Sequence, residues 1–279
     1  MRMLRPLFLF EITPRLLALV CASLACLSLV ACAPASHSDG SGAQAPTEQL
    51  SESYAGKIYF ESRRFTFEGE SECISAENDA LVIKKGGAYI VSGKLTEGRI
   101  VTDAPFVRLV LDGAELCSSV GSVIEARRGA LVIESEDGSL NIIRAECSSS
   151  DGRRGAIYTD GDLFLSGGGK TVITARGLTY ALACGRLYCE SGELSLTAEG
   201  GVFACEAYLS GGKTQINGAK TGIYAENLIE MTGGSLVALC NETALCAENE
   251  IILTGGERDI RAPKPYICKK DEAEDGSKK

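Results

Sequence analysis

Residues 207–256 read AYLSGGKTQINGAKTGIYAENLIEMTGGSLVALCNETALCAENEIILTGG, and one short phrase recurs in them: Ser210-Gly211-Gly212, Thr232-Gly233-Gly234 and Thr254-Gly255-Gly256. Upstream it occurs as Ser166-Gly167-Gly168 and, with one glycine, as Glu190-Ser191-Gly192, so the starts step by 24, 20, 22 and 22 residues. Self-similarity at such a period marks stacked repeats rather than a globular mixture.

Each copy has the same grammar. An alternating apolar segment (Leu187-Tyr188-Cys189, Ala207-Tyr208-Leu209, Ile229-Glu230-Met231, Ile251-Ile252-Leu253) runs into the glycine turn. A second alternation follows in Leu194–Ala198, Thr214–Gly218 and Leu236–Cys240, and a third short strand in Val202–Ala204, Ile223–Ala225 and Leu245–Ala247. Period-2 patterning means strand, and glycines between strands supply backbone angles with φ > 0. Three short strands cannot bury a core alone, but coiled into rungs stacked at about 4.8 Å they share a continuous one. The expected fold is all-β, a single-stranded parallel β-helix with about 22 residues per rung. A leucine-rich repeat would need its L-x-x-L-x-L-x-x-N phrase, which is absent.

The N-terminus reads as a targeting segment. Arg2, Arg5 and Arg15 form a basic region, and Leu16 to Val30 is a 15-residue apolar stretch. That is short for a membrane span and fits a secretory signal. It ends in Leu29-Val30-Ala31-Cys32, which resembles the lipobox of bacterial lipoproteins. The resemblance implies cleavage after residue 31 and lipidation of Cys32, with diacylglyceryl and amide-linked chains together giving stable anchoring. The chain therefore divides into signal peptide (1–31), lipid anchor and Pro/Gly/Ser-rich tether (32–52), β-helix domain (53–268) and a charged tail (269–279). An exported, outward-facing, membrane-anchored monomer follows as the expectation.

Composition narrows the partners. The full chain carries a net charge of −9, and removing residues 1–31 leaves 25 basic against 36 acidic side chains. Such a surface argues against nucleic acid and against peripheral binding to anionic lipid, and it disfavours a polyanionic glycan unless cations mediate. His37, the only histidine, sits in the tether, so His-dependent nucleophilic triads are unavailable. Beyond Cys32, nine cysteines fall in the domain (Cys73, Cys117, Cys147, Cys184, Cys189, Cys205, Cys240, Cys246 and Cys268), without CxxC spacing, so zinc is not indicated. Cys189 and Cys240 replace small or apolar residues of the repeat and read as buried hydrophobes. Cys184 and Cys205 lie about one rung apart, within the range of a disulfide.

Residues 86–103, Gly86-Gly87-Ala88-Tyr89-Ile90-Val91-Ser92-Gly93-Lys94-Leu95-Thr96-Glu97-Gly98-Arg99-Ile100-Val101-Thr102-Asp103, are followed by Val107-Arg108-Leu109-Val110-Leu111-Asp112-Gly113-Ala114-Glu115-Leu116. With the glycine repeats, they resemble the exported carbohydrate-binding β-helix family first recognised in a cellulose-degrading clostridium, over roughly residues 57–262. The resemblance implies a right-handed parallel β-helix like that of pectate lyases, binding of cellulose-like and pectin-like polysaccharides, and structural calcium. The family's D-G-I phrase, whose Asp would serve calcium, is altered here: Gly200, Thr221 and Thr243 hold the matching positions. Calcium wants several oxygen ligands, commonly carboxylates, so no metal site is assigned; Asp160 and Asp162 are the acids nearest such a turn.

Alternation places Phe164, Tyr188, Tyr208, Glu230 and Ile252 in one outward column, and Tyr158, Phe203, Tyr224 and Cys246 in another. The aromatic members are the candidate carbohydrate-binding residues, because sugar rings have apolar faces that stack on aromatics; the competing reading is a ladder that supports the sheet. Ala225-Glu226-Asn227 recurs as Ala247-Glu248-Asn249, which predicts a ladder of stacked amides. Glu226 and Glu248 are the pair a glycosidase on adjacent rungs would use, and Asp151, Arg153 and Arg154 are what a lyase could draw on; neither set has the asymmetry of an acid and a base. A non-catalytic polysaccharide-binding module is the expected function, with a surface spacer or adhesion protein as the alternative.

Overall fold

The computed structural model describes residues 54–146 and 155–270. Cys32, Cys147, Asp151, Arg153 and Arg154 lie outside the described residues. The described chain folds into 23 strands that form a β-solenoid of about 22 residues per turn, its pairings parallel apart from two near the N-terminal end.

The rung steps match the spacing of the glycine phrases. Phe164 pairs with Tyr188, Tyr188 with Tyr208, Tyr208 with Glu230 and Glu230 with Ile252, reproducing the steps of 24, 20, 22 and 22. One rung shows how the sequence closes the coil. Strand Gly200–Leu209 bends at Cys205, where the register with strand Thr221–Met231 shifts, and so supplies two sides. Strand Lys213–Asn217 supplies the third, pairing with Glu193–Thr197 below and Ser235–Leu239 above.

The inward residues stack in columns of like character: Leu182, Val202, Ile223 and Leu245; Leu187, Ala207 and Ile229; Leu196, Ile216 and Ala238. All are buried in one continuous core. Each rung thus covers the apolar side chains of its neighbours, which is why a rung has no stability alone.

The paired glycines do different work. Gly234 adopts φ 72°, a left-handed conformation that β-carbon-bearing residues resist. At Gly233 the constraint is space, because a β-carbon there would sit 2.2 Å from the Ser210 carbonyl oxygen of the rung beneath. One glycine turns the chain, and the other lets successive turns nest.

The two ends differ. At the N-terminal end Arg64–Gly69 folds back antiparallel on Gly56–Ser62 and lays Phe65 and Phe67 against the core, and Ile74–Glu77 runs antiparallel to Ala80–Ile83. Antiparallel closure of this kind blunts an edge that would otherwise template further pairing. At the other end Lys264–Cys268 adds to Thr243–Ala247 as a further parallel strand, so Pro265-Tyr266-Ile267-Cys268 extends the coil and does not lie across an outward face.

Tyr158, Phe203, Tyr224 and Cys246 stand in one outward column, as alternation predicts, with Ala183 between Tyr158 and Phe203. The expected disulfide needs correction. Cys184 pairs with Ala204, which leaves Cys205 one residue further along and exposed, and no bridge joins the two. Cys189 and Cys240 are buried among apolar side chains, as the repeat predicts, and burial pushes the Cys189 thiol up to about 12.

Candidate functional site

The first outward column is an aromatic ladder. Phe164 and Tyr188 stack with ring centroids 4.6 Å apart, and Tyr188 and Tyr208 with centroids 5.0 Å apart, each pair within 8° of parallel. Parallel strands in register hold the rings one rung apart, so each ring covers its neighbour's face. Phe164 is 3% exposed and Tyr188 5%, with Val132 packed in the same cluster. A sugar cannot stack on a face another ring occupies, so these two serve as supports for the sheet. Tyr208 is half-buried and ends the ladder: Tyr188 covers one face, and in register on the other side stands Glu230, not a ring.

The second column is also occupied. Phe203 lies between Tyr180, at 5.3 Å, and Tyr224, at 5.7 Å. Lys269 Nζ sits 5.3 Å from the centroid of the Tyr224 ring and ion-pairs with Glu248, whose carboxylate also accepts a hydrogen bond from the Tyr224 hydroxyl. The Tyr158 hydroxyl donates to Asp160 at 2.5 Å. All three predicted aromatics are half-buried, but only Phe203 and Tyr224 form a stack.

Beside Tyr208 the two outward columns make a chequerboard. Glu206, Leu228 and Glu250 form one column, and Tyr208, Glu230 and Ile252 the next. Apolar and acidic side chains therefore alternate along both columns and across each rung. Tyr208, Leu228 and Ile252 are half-buried, and Glu250 is exposed. On one side runs a row of exposed hydroxyls, Ser210, Thr232 and Thr254. On the other runs the amide row: Asn249 Nδ2 donates to Asn227 Oδ1 at 2.8 Å, and Asn227 Nδ2 donates to Glu206 Oε1 at 2.8 Å. The amide ladder read from the repeated Ala-Glu-Asn is present.

Electrostatics separates the acids by use. Glu206 accepts from the Tyr208 hydroxyl at 2.9 Å as well as from Asn227. Burial, with the Glu206 hydrogen bond adding to it, raises the Tyr208 hydroxyl well above its ordinary range. Lys269 and then Tyr224 hold the Glu248 carboxyl below its ordinary range. A general acid needs the opposite shift, so Glu248 is not tuned as one. The carboxylates of Glu230 and Glu250 have no hydrogen bond or ion pair among the described residues.

The residues do not fit a calcium ion at the altered family positions. Gly200, Thr221 and Thr243 stack in one column between Tyr180 and Lys264, and none of them brings a carboxylate. Asp162 is engaged by Arg186 through two hydrogen bonds of 2.8 Å, and Asp160 by Tyr158. No group of three His, Cys, Asp or Glu side chains among the described residues could hold a metal.

The described residues thus form a parallel β-solenoid with an amphipathic outward face. A family model described as "Carbohydrate-binding domain-containing protein" matches residues 77–279, and the chain belongs to that family. Among solved structures it is similar to the polysaccharide lyase-like protein from C. thermocellum, described as a gadolinium derivative, with a TM-score of 0.63 and 21% identity. That match covers 76% of this chain and 96% of the other, and at such identity it concerns the fold alone. No curated protein matches. A carbohydrate-binding role comes with the family.

Proposed function

We propose that this protein is a non-catalytic polysaccharide-binding module, held outside the cell membrane by a lipid on Cys32, that takes plant-type glycans of the cellulose or pectin kind. The glycan lies along the coil axis over Tyr208, Leu228, Glu230, Glu250 and Ile252. The carrying observation is the alternation of apolar and hydrogen-bonding side chains at one-rung intervals, bounded by the hydroxyls of Ser210, Thr232 and Thr254. An extended β-linked chain advances per sugar by nearly one strand spacing of about 4.8 Å, so each rung meets one sugar. Apolar pyranose faces then rest on Tyr208, Leu228 and Ile252, while ring hydroxyls reach the flanking oxygens.

Of the aromatics expected to bind, Tyr208 has a face to offer. Phe164 and Tyr188 hold it in place, and Phe203, Tyr224 and Tyr158 belong to a face whose rings and hydroxyls are already engaged.

Affinity electrophoresis in gels containing cellulose derivatives, xylan or pectin tests the proposal. Retardation that is lost in Tyr208→Ala supports it. Free migration in every gel would favour a coil that serves as a stiff surface spacer. Release of reducing or unsaturated ends over time would make the protein an enzyme and overturn the non-catalytic reading.

A further inference from the structure

The face beside Tyr208 is unevenly charged. Its two columns hold Glu206, Glu230 and Glu250 and no Lys or Arg across three rungs. On the neighbouring rungs and elsewhere on the coil, acids and bases pair between rungs: Arg186, in register with Glu206 one rung below, bridges to Asp162, Arg108 to Glu134, and Lys170 and Lys213 both reach Glu193. Pairs continue on later rungs, as Lys220–Glu242 and Lys269–Glu248 show, but the two columns from Tyr208 to Ile252 hold none among the described residues. Glu206 is already engaged by Tyr208 and Asn227, but the Glu230 and Glu250 carboxylates meet no donor among the described residues. Glu230 stands in register with Tyr208 on the side that carries no ring.

An unshared aromatic face next to two unengaged carboxylates is the chemistry that recognises an ammonium group. The cation is drawn to the ring's quadrupole, and its three N–H donors find carboxylate acceptors. The neighbouring Leu228 and Ile252 suit the C–H face of a pyranose. A polyuronate would instead bring its own carboxylates against Glu230 and Glu250.

We infer that this face takes a β-linked amino-sugar polymer, a cellulose-like chain carrying an ammonium group on its sugars. The inference rests on the assignment of the Tyr208 face as the glycan site, and puts a cationic β-linked chain in place of the neutral or acidic plant glycans proposed for it. The ammonium of one sugar lies between Glu230 and the open side of Tyr208, and that of a neighbouring sugar meets Glu250.

The test is calorimetric titration of the purified protein with three probes: glucosamine hexamer below the pKa of its amines, cellohexaose, and a galacturonate hexamer. Glucosamine hexamer should bind about tenfold more tightly than cellohexaose, as expected for two exposed charge contacts. That advantage should vanish as the Debye length shrinks from about 30 Å to about 3 Å with added salt. Glu230→Gln with Glu250→Gln should bring the two affinities together and leave the melting temperature as it was, while Glu72→Gln at the far end of the coil should keep the tenfold difference. Undiminished glucosamine binding in the double variant, or tightest binding of the galacturonate hexamer, would overturn the inference while leaving a glycan site in place. Binding of none of the three would remove the glycan site itself, and the inference with it.

Discussion

Replacing Phe164 and replacing Tyr208 with alanine should have opposite consequences, although the two rings stand in one column. Phe164 is 3% exposed and stacks on Tyr188 at 4.6 Å, so truncation removes a buried ring and leaves a cavity beside Val132 and Tyr188. Buried Phe→Ala substitutions cost about 3–5 kcal/mol, and an outward column with room to relax belongs at the lower end. With about 2–4 °C of melting temperature per kcal/mol for a domain of this size, Phe164→Ala should lower the transition by roughly 6–12 °C. Tyr208 is half-buried and shares one face, so its truncation gives up a single stack of about 0.5–1.5 kcal/mol and some covered area. Its melting temperature should fall about half as far. Binding should reverse the order. Removal of the ring under the glycan should cost about 1–2 kcal/mol, or roughly 5- to 30-fold in affinity, whereas Phe164→Ala keeps retardation well below its own transition. Thermal melts read by circular dichroism, with affinity electrophoresis on the same samples, measure both. If Phe164→Ala abolished binding with an unchanged melt, or Tyr208→Ala were the more destabilised variant and still bound glycan, the assignment of support and contact would be wrong.

Three further outcomes follow from named contacts. Asn227→Ala breaks hydrogen bonds to Glu206 and Asn249 and should cost about 1–2 kcal/mol; a lower melting temperature with unaltered glycan retardation is expected, and the reverse pattern would show that the amide row contacts sugar. Gly233→Ala drives a β-carbon to 2.2 Å from the Ser210 carbonyl oxygen and should destabilise by about 1–3 kcal/mol; an unchanged urea midpoint would mean that the turns are not nested. The Glu193 carboxyl is held below its usual 4.5 by a hydrogen bond from Lys170, so the pair stabilises the fold above that pH and loses its effect as pH falls through the depressed value. The pair is partly exposed, so its share is about 1 kcal/mol or less; melts from neutral to acid pH should show a shallower decline in Glu193→Gln than in the parent, and an identical decline would contradict the assignment.

Much of this architecture is legible in the sequence because a solenoid turns spacing into register. The distances between glycine phrases are the distances between paired residues from Phe164 to Ile252. Alternation also places Leu187 and Cys189 inward and Tyr188 outward. It does not say which face of an outward ring is already covered, so platform and ladder both stay open for Phe164 and Tyr188 until their burial decides for the ladder. The Tyr158 column is legible as a column, but not its gap: Ala183, having no ring, leaves no trace in a search for aromatics. The chequerboard is legible in the 22-residue period, which sets Glu206 against Leu228 and Leu228 against Glu250. A search for aromatic columns passes over it, because none of those three side chains carries a ring.

The central claim, a glycan running along the coil over the Tyr208 face, is tested most directly by hydrogen–deuterium exchange with and without the glycan that retards the protein most strongly. Protection should appear together in three separated stretches, 206–210, 228–232 and 250–254, with little change in 155–159 or 264–268. Protection confined to the Tyr158, Phe203 and Tyr224 side, or to a single stretch, would contradict it.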